Sequence, residues 1–266
     1  MYRRILVGYL DTAPGHDALA LGTALAVATG AELALGTAPD PQDRDLPALA
    51  RAYDADLMVL GSTHYGGLGR LVPGATVEHL LGEAPCAVAV APPGFAERPT
   101  ADGWQPLRGG AEDAGMRVIG VGYDGSPAAM RALETAAELA TYNGAGMRVY
   151  AVAPKTPQVP GAEPQAQTAN HRAPSQAVAL RESLHQAVAK LPSEARALPV
   201  FSRGFPAEEL IRATQTGVDL LVLGSRRGGP IRRVLHNSVS STVINRAACP
   251  VLILPSGVPA AQPAMA

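Results

Sequence analysis

Short, wholly apolar runs alternate along this chain with longer stretches rich in Ala and Leu, and the whole alternation occurs twice. Ile5 to Gly8 predicts a short buried strand, Asp17 to Thr29 a helix stopped by Gly30, and Glu32 to Ala38 a second strand. A helix over Pro47 to Tyr53, a strand over Leu57 to Leu60, a helix containing Val77 to Leu81 and a strand over Ala87 to Ala91 follow. The series restarts with strand Val118 to Val121, helix Pro127 to Tyr142 and strand Arg148 to Val152. After a Pro/Gln/Ala-rich loop from 153 to 174 come helix Gln176 to Lys190, strand Ala197 to Phe201, helix Pro206 to Thr214 and strand Leu220 to Leu223. Strands apolar on both faces, separated by helices, indicate a parallel sheet covered on two sides, hence an α/β fold.

The two series are copies. Arg4-Ile5-Leu6-Val7-Gly8-Tyr9 returns as Val118-Ile119-Gly120-Val121-Gly122-Tyr123, 114 positions on. Asp56-Leu57-Met58-Val59-Leu60-Gly61-Ser62 returns as Asp219-Leu220-Leu221-Val222-Leu223-Gly224-Ser225, and Cys86 returns as Cys249, both 163 positions on. The first copy therefore lacks 49 residues (163 less 114) in its middle, enough for most of one loop, one helix and one strand. A lost strand is tolerated if it lies at the sheet edge, so the first copy is expected to be a four-stranded version of the second. Repetition at this length indicates a duplicated domain. The boundaries read as 1–94 for the truncated copy, 95–115 for a linker rich in Pro and Gly, 116–257 for the complete copy and 258–266 for a loose tail.

Composition narrows the functional classes. A hydrophobic fraction of 47% supplies two packed cores, although aromatic residues make up only 4%. A formal net charge of −1 gives no global attraction to nucleic acid or to an anionic membrane. No apolar run approaches the ~20 residues of a membrane span, and the N-terminus enters a strand without a signal sequence, so a cytoplasmic protein is expected. The two Cys hold equivalent places in the copies, which suits core packing better than a disulfide. The six His show no ligand spacing, and no metal site is expected.

The chemistry gathers where strands of the second copy end. Ligands of an open parallel sheet bind beyond the carboxyl ends of its strands, where strand order reverses. Tyr123-Asp124-Gly125-Ser126 follows one strand, Val152 ends the next, and Gly224-Ser225-Arg226-Arg227-Gly228-Gly229 follows a third. A helix then begins near Asn237-Ser238-Val239-Ser240. N–H groups at a helix start beside a Gly-rich turn favour a phosphate, and a carboxylate after the first strand can accept from a ribose hydroxyl or a base amine. Each feature also has a plainer reading. Asp124 suits a turn that caps the next helix, Gly224-Ser225 a strand-to-helix turn, Asn237-Ser238 a simple cap, and the four Arg of 226–233 a solvated face. Ser225 with His236 lacks an orienting third residue, so hydrolase chemistry is discounted.

These runs resemble the universal stress protein family, in its tandem two-domain form. The resemblance rests on Val-Gly-Tyr-Asp-Gly-Ser at 121–126, Asp-Leu-Leu-Val-Leu-Gly-Ser at 219–225, Pro-Ile-Arg-Arg-Val-Leu at 230–235 and Cys-Pro-Val-Leu-Ile at 249–253. It implies two doubly wound, open parallel-sheet α/β sandwich domains, the first truncated, with last strands that pair domains or subunits. It also implies an adenine-nucleotide-binding regulatory protein of the stress response, holding ATP, ADP or AMP with or without Mg, and not an enzyme. In the family's nucleotide-binding members, an Asp after the first strand holds the adenosine end. The phosphates lie on Gly-x2-Gly-x9-Gly followed by Ser or Thr. Carried onto the second copy, this gives Asp124, Val152 beside the base, Gly224, Asn237, Ser238 and Val239, with Arg227 as an auxiliary. Arg227 and Asn237 depart from the pattern, standing where the second and third Gly belong. Asn tolerates positive φ, while Arg227 either meets phosphate with its fork of donors or fills the pocket. In the first copy Leu10 replaces the Asp, His64 the second Gly and Ala75 the Ser, so no nucleotide is expected there. The departures in the second copy keep a second reading open, a nucleotide-free interaction module working through domain pairing within the chain and a homodimer. Slow ATP hydrolysis ranks last, since no water-activating base is evident.

Overall fold

The structure is a computed structural model that describes residues 1–36, 45–62, 84–97, 116–155, 165–225 and 239–255, with backbone alone for 165–174. Nine strands are named in chain order: β1 (Arg4–Gly8), β2 (Glu32–Gly36), β3 (Leu57–Gly61), β4 (Ala87–Ala91), β5 (Val118–Gly122), β6 (Gly146–Pro154), β7 (Ala197–Gly204), β8 (Leu220–Gly224) and β9 (Val251–Leu254). The described helices are α1 (Ala13–Thr29), α2 (Leu46–Tyr53), α3 (Pro127–Asn143), α4 (Gln165–Ala189), α5 (Pro206–Thr214) and α6 (Val239–Arg246). All strands join one sheet in the order β2-β1-β3-β4-β9-β8-β5-β6-β7. Every pairing is parallel except the central one, β4 with β9.

The duplication is visible in the sheet. Within each half the first strand lies between the second strand and the penultimate one. β4 and β9 run antiparallel with Ala89 opposite Leu252, and these two residues are copies of each other. A pseudo-two-fold axis thus passes through that pair and relates the halves. The segment absent from the first half corresponds to α4 and β7, and β7 is the outermost strand of its half. Its removal leaves β2 as the opposite edge without interrupting any ladder. Leu35 of β2 is consequently 46% exposed, whereas its counterpart Val149 in β6 is fully buried.

The apolar strands are buried on both faces, as their composition requires. One face packs Leu21 and Leu25 of α1 and the Ala-rich side of α3 against Val7, Val59, Val121 and Val222. The other packs Leu46 and Ala50 of α2, Leu210 and Ile211 of α5, and Val243 and Ile244 of α6 against Met58, Val88, Leu221 and Ile253. Small side chains along α3 let the helix lie close to the sheet, and interdigitation at this density is what makes single methylenes matter.

Asp56 and Asp219, copies of each other, fasten the strand starts. The Asp219 carboxylate accepts the backbone N–H groups of Arg117 and Val118, both at 2.8 Å. Asp56 accepts those of Arg3 and Arg4 at 2.8 and 3.1 Å. Sequence reasoning quoted both residues inside the repeat without giving them this task.

Several elements differ from their sequence expectation. α1 begins at Ala13, not Asp17: Thr12 caps it through the Gly15 N–H, and Pro14 sits in its first turn, where a missing N–H costs nothing. α4 begins at Gln165 and carries Pro174 within it, so the loop expected to run to 174 gives up nearly three helical turns at its end, and β6 before it extends to Pro154. β2 is described to Gly36, and the helix expected over Val77 to Leu81 lies outside the described residues. Phe95–Glu97, read as the start of a linker, forms a short turn with Phe95 buried. Asp17, 3% exposed on α1, fastens it by accepting the N–H groups of Gly94 and Ala96 at 2.9 and 2.8 Å. The rest of the linker and the tail after Pro255 lie outside the described residues.

Both Cys are buried and unpaired with each other. Burial, helped by the nearby Asp56 charge, pushes the Cys86 thiol up to about 12. At pH 8 its thiolate fraction is then on the order of one in ten thousand, and thiolate is the reactive form. A thiol reagent is expected to leave Cys86 unmodified in the native protein and to titrate both Cys in guanidinium; fast native labelling of Cys86 would contradict its placement. Replacing Asp219 by Ala strands two backbone donors, and urea unfolding is expected to register a loss of roughly 1.5–3 kcal/mol.

Candidate functional site

A cavity of about 350 Å³ opens at the carboxyl ends of β5, β6 and β8. The chain enters β6 from β5 on one side and pairs β5 with β8 on the other, so the cavity marks the reversal of strand order. Its floor and walls come from Gly122, Tyr150, Val152, Leu210 and Leu223, and its polar rim from Asp124, Ser225 and Ser240. Val239, the first residue of α6, also lines it, which brings the start of that helix to the rim. The helix N-terminus contributes a partial positive charge there.

The Asp124 loop is built by local chemistry. Gly125 takes φ +79°, a region costly for other residues, and turns the chain from β5 into α3. Asp124 Oδ1 accepts the Ser126 N–H at 2.9 Å. Ser126 in turn caps α3 by accepting the Ala129 N–H at 3.2 Å. Tyr123 anchors the loop from below, its hydroxyl 2.8 Å from Ser183 Oγ on α4. The Asp124 side chain is thereby held exposed at the mouth of the cavity. Its turn-forming role and its place at the cavity coexist in one residue.

Gly224 has a reason of its own. A Cβ built there would stand 2.2 Å from the Ala128 carbonyl oxygen, so a side chain is excluded by the first turn of α3. Gly61 is under the same constraint, with the Pro14 carbonyl oxygen at 1.8 Å from the position a Cβ would take. The first Gly of the motif is therefore a packing requirement in both halves, including the half without a carboxylate. Of the sequence-predicted residues, Asp124, Val152, Gly224 and Val239 come together around the cavity. Arg227, Asn237 and Ser238 lie outside the described residues. Tyr150, Leu210 and Leu223 were missed; their side chains turn into the cavity through strand alternation and helix packing, which no motif announces.

The first half differs at the equivalent place. Leu10 occupies the Asp124 position, 37% exposed. Leu46 of α2 lies over the strand ends: a Cβ on Gly8 or on Gly36 would stand 3.1 or 3.3 Å from its methyl carbons. His64, Gly74 and Ala75 lie outside the described residues. Among the described residues no group of three His, Cys, Asp or Glu side chains is arranged to hold a metal ion, and no helix is long and apolar enough to cross a membrane.

A doubly wound sheet with a cavity at its switch point is the arrangement in which open α/β proteins bind their ligands. The profile of the universal stress protein family matches residues 40–92 and 115–255, and the chain belongs to that family. Three solved structures are similar along almost the whole chain. A putative universal stress protein from Pseudomonas aeruginosa UCBPP-PA14 is 17% identical, covers 96% of this chain and 93% of its own, and gives a TM-score of 0.60. A functionally unknown protein from Pseudomonas aeruginosa PAO1 is 17% identical over 96% of this chain and 92% of its own, with a TM-score of 0.61. A universal stress protein from Archaeoglobus fulgidus DSM 4304 is 16% identical over 96% and 98%, with a TM-score of 0.59. At these identities the likeness is one of fold, and it includes the tandem arrangement. No curated protein sequence matches the chain.

Replacing Gly224 by Ala forces either α3 or β8 to move. Chemical denaturation is expected to show a loss of at least roughly 1–3 kcal/mol, and Gly61→Ala a comparable one. Wild-type stability in both variants would refute the packing role.

Proposed function

We propose that this protein is an adenine-nucleotide-binding regulator of the stress response, acting in the cytoplasm, with the nucleotide held by the second half. The observation that carries this reading is the difference between the halves. The second has a cavity with a carboxylate at its mouth, while the first has Leu10 at that position. In the proposed complex Asp124 accepts from the ribose hydroxyls, and the Val152 backbone lies beside the base. Gly224, Asn237, Ser238 and Val239 border the phosphates at the start of α6, with Arg227 adding donors. ATP, ADP and AMP, with or without Mg, all suit this arrangement.

The protein would act by binding, not by turnover. Among the described residues lining the cavity, Asp124 is the sole carboxylate and none is His, Lys or Cys. Asp124 sits on the ribose side of the proposed pose, away from an attacking water at the terminal phosphate.

A second reading has its own observation. β2 is an edge strand with Leu35 exposed beside it, and Val27 of α1 is exposed as well. An interaction module that works by subunit pairing, including a homodimer, would use such an edge.

The deciding experiment is to denature the purified protein and identify released small molecules by mass spectrometry, then titrate ATP calorimetrically. Near-stoichiometric adenine nucleotide supports the first reading. No released nucleotide and no heat with millimolar ATP sinks it and leaves the interaction module. In a binding wild type, Asp124→Ala is expected to abolish the heat signal. Asp124→Asn, which keeps an acceptor for the Ser126 N–H, is expected to weaken binding at least tenfold, since a charged hydrogen bond to a ligand contributes about 1.5–3 kcal/mol. Wild-type affinity in both variants would remove Asp124 from the site.

A further inference from the structure

We infer that Tyr150 is the residue through which the cavity selects a nucleobase, an inference that rests on the nucleotide reading above. Tyr150 lies on β6, level with Gly122 of β5, and its half-buried side chain faces the cavity beside Leu210. The main chain fixes that level, because the Tyr123 N–H donates to the Tyr150 carbonyl at 2.8 Å. Asp124 is two residues further along the same direction, at the mouth. Two residues of extended chain span about 7 Å, the scale of a ribose with its attached base. A ligand whose diol meets Asp124 therefore places its base against the phenol ring.

The hydroxyl is available for that task. Among the described residues Tyr150 Oη has no hydrogen-bond partner and is not among the buried polar atoms without one, so it is accessible. A phenol supplies an apolar ring face for the base and one donor or acceptor for its edge. The remaining wall residues, Val152, Leu210 and Leu223, supply only shape.

The internal duplication gives an independent argument. The register that pairs Gly122 with Tyr150 pairs Gly8 with Gly36 in the first half. There the ring is absent and the Leu46 methyl groups occupy the space near Gly36. Tyr150 and the carboxylate are thus both present in one half and both absent from the other. A merely structural aromatic would not need to accompany the carboxylate.

The test compares adenosine 5′-monophosphate with ribose 5-phosphate, which keeps the diol and phosphate but has no base. Calorimetry is run on the full chain, its Tyr150→Phe variant and its Tyr150→Leu variant. Phe is expected to weaken the mononucleotide roughly fivefold through loss of one hydrogen bond, and Leu roughly tenfold or more through loss of the ring face as well. Ribose 5-phosphate is expected to bind all three proteins alike. Equal affinity of all three for the mononucleotide, or a parallel loss for ribose 5-phosphate, overturns the role of Tyr150 while leaving the nucleotide reading intact. A wild type that binds neither compound overturns both. Should Leu at 150 prevent folding, the Phe variant alone decides the matter, since it keeps the ring and its packing.

Discussion

The antiparallel pairing of β4 with β9 is the constraint on which the rest of the molecule depends. A four-stranded parallel sheet ending in β4 has an apolar strand with one unsatisfied edge, and so does the five-stranded sheet ending in β9. Three residue pairs, Val88 with Ile253, Ala89 with Leu252 and Val90 with Val251, close both edges at once. Backbone groups that burial would otherwise leave without partners find them here. The helices follow: α1 and α3 come to the same face of one continuous sheet, where their apolar sides share a core. Because the axis passes through Ala89 and Leu252, the two half-sites are set by symmetry at a distance from one another, each at its own strand ends.

Symmetry of the backbone leaves the side chains free to diverge, and at some positions they do. Asp56 and Asp219 perform the same task in both halves, and Gly61 and Gly224 meet the same packing limit. At the strand ends the halves part. Asp124 faces Leu10 across the repeat, and Tyr150 faces Gly36. Residues that serve the fold have been kept twice, whereas Asp124 and Tyr150 of the cavity stand in one copy alone.

Much of this was legible in the chain because the repeat declares itself. The strands were readable as apolar runs, and their parallel arrangement followed from burial on both faces. The position of the missing strand at an edge followed from tolerance of its loss. What escaped the reading depended on contacts between distant segments. Pro14 and Gly15 look like breakers beside Asp17, yet Thr12 caps the helix ahead of them. Pro174 looks like the end of a loop, yet α4 runs through it. The burial of Asp17 against Gly94 and Ala96, and the lodging of Leu46 over Gly8 and Gly36, join residues far apart in sequence and leave no local pattern. Asp124, Val152, Gly224 and Val239 could be named because they follow strand ends; Tyr150 could not, because its place depends on which face of β6 turns to α5.

The order of synthesis gives the central strand pair a further significance. β4 ends at Ala91, whereas β9, its partner, begins only at Val251. Throughout most of translation, the first half must therefore wait with an uncovered apolar edge. A contact so long-range is slow to form, and an open strand edge invites pairing with neighbouring chains. The fastening of Phe95–Glu97 by Asp17, which lies directly after β4, is made entirely within the first hundred residues. It can hold the exit of that strand in place on the nascent chain long before the closing strand emerges from the ribosome.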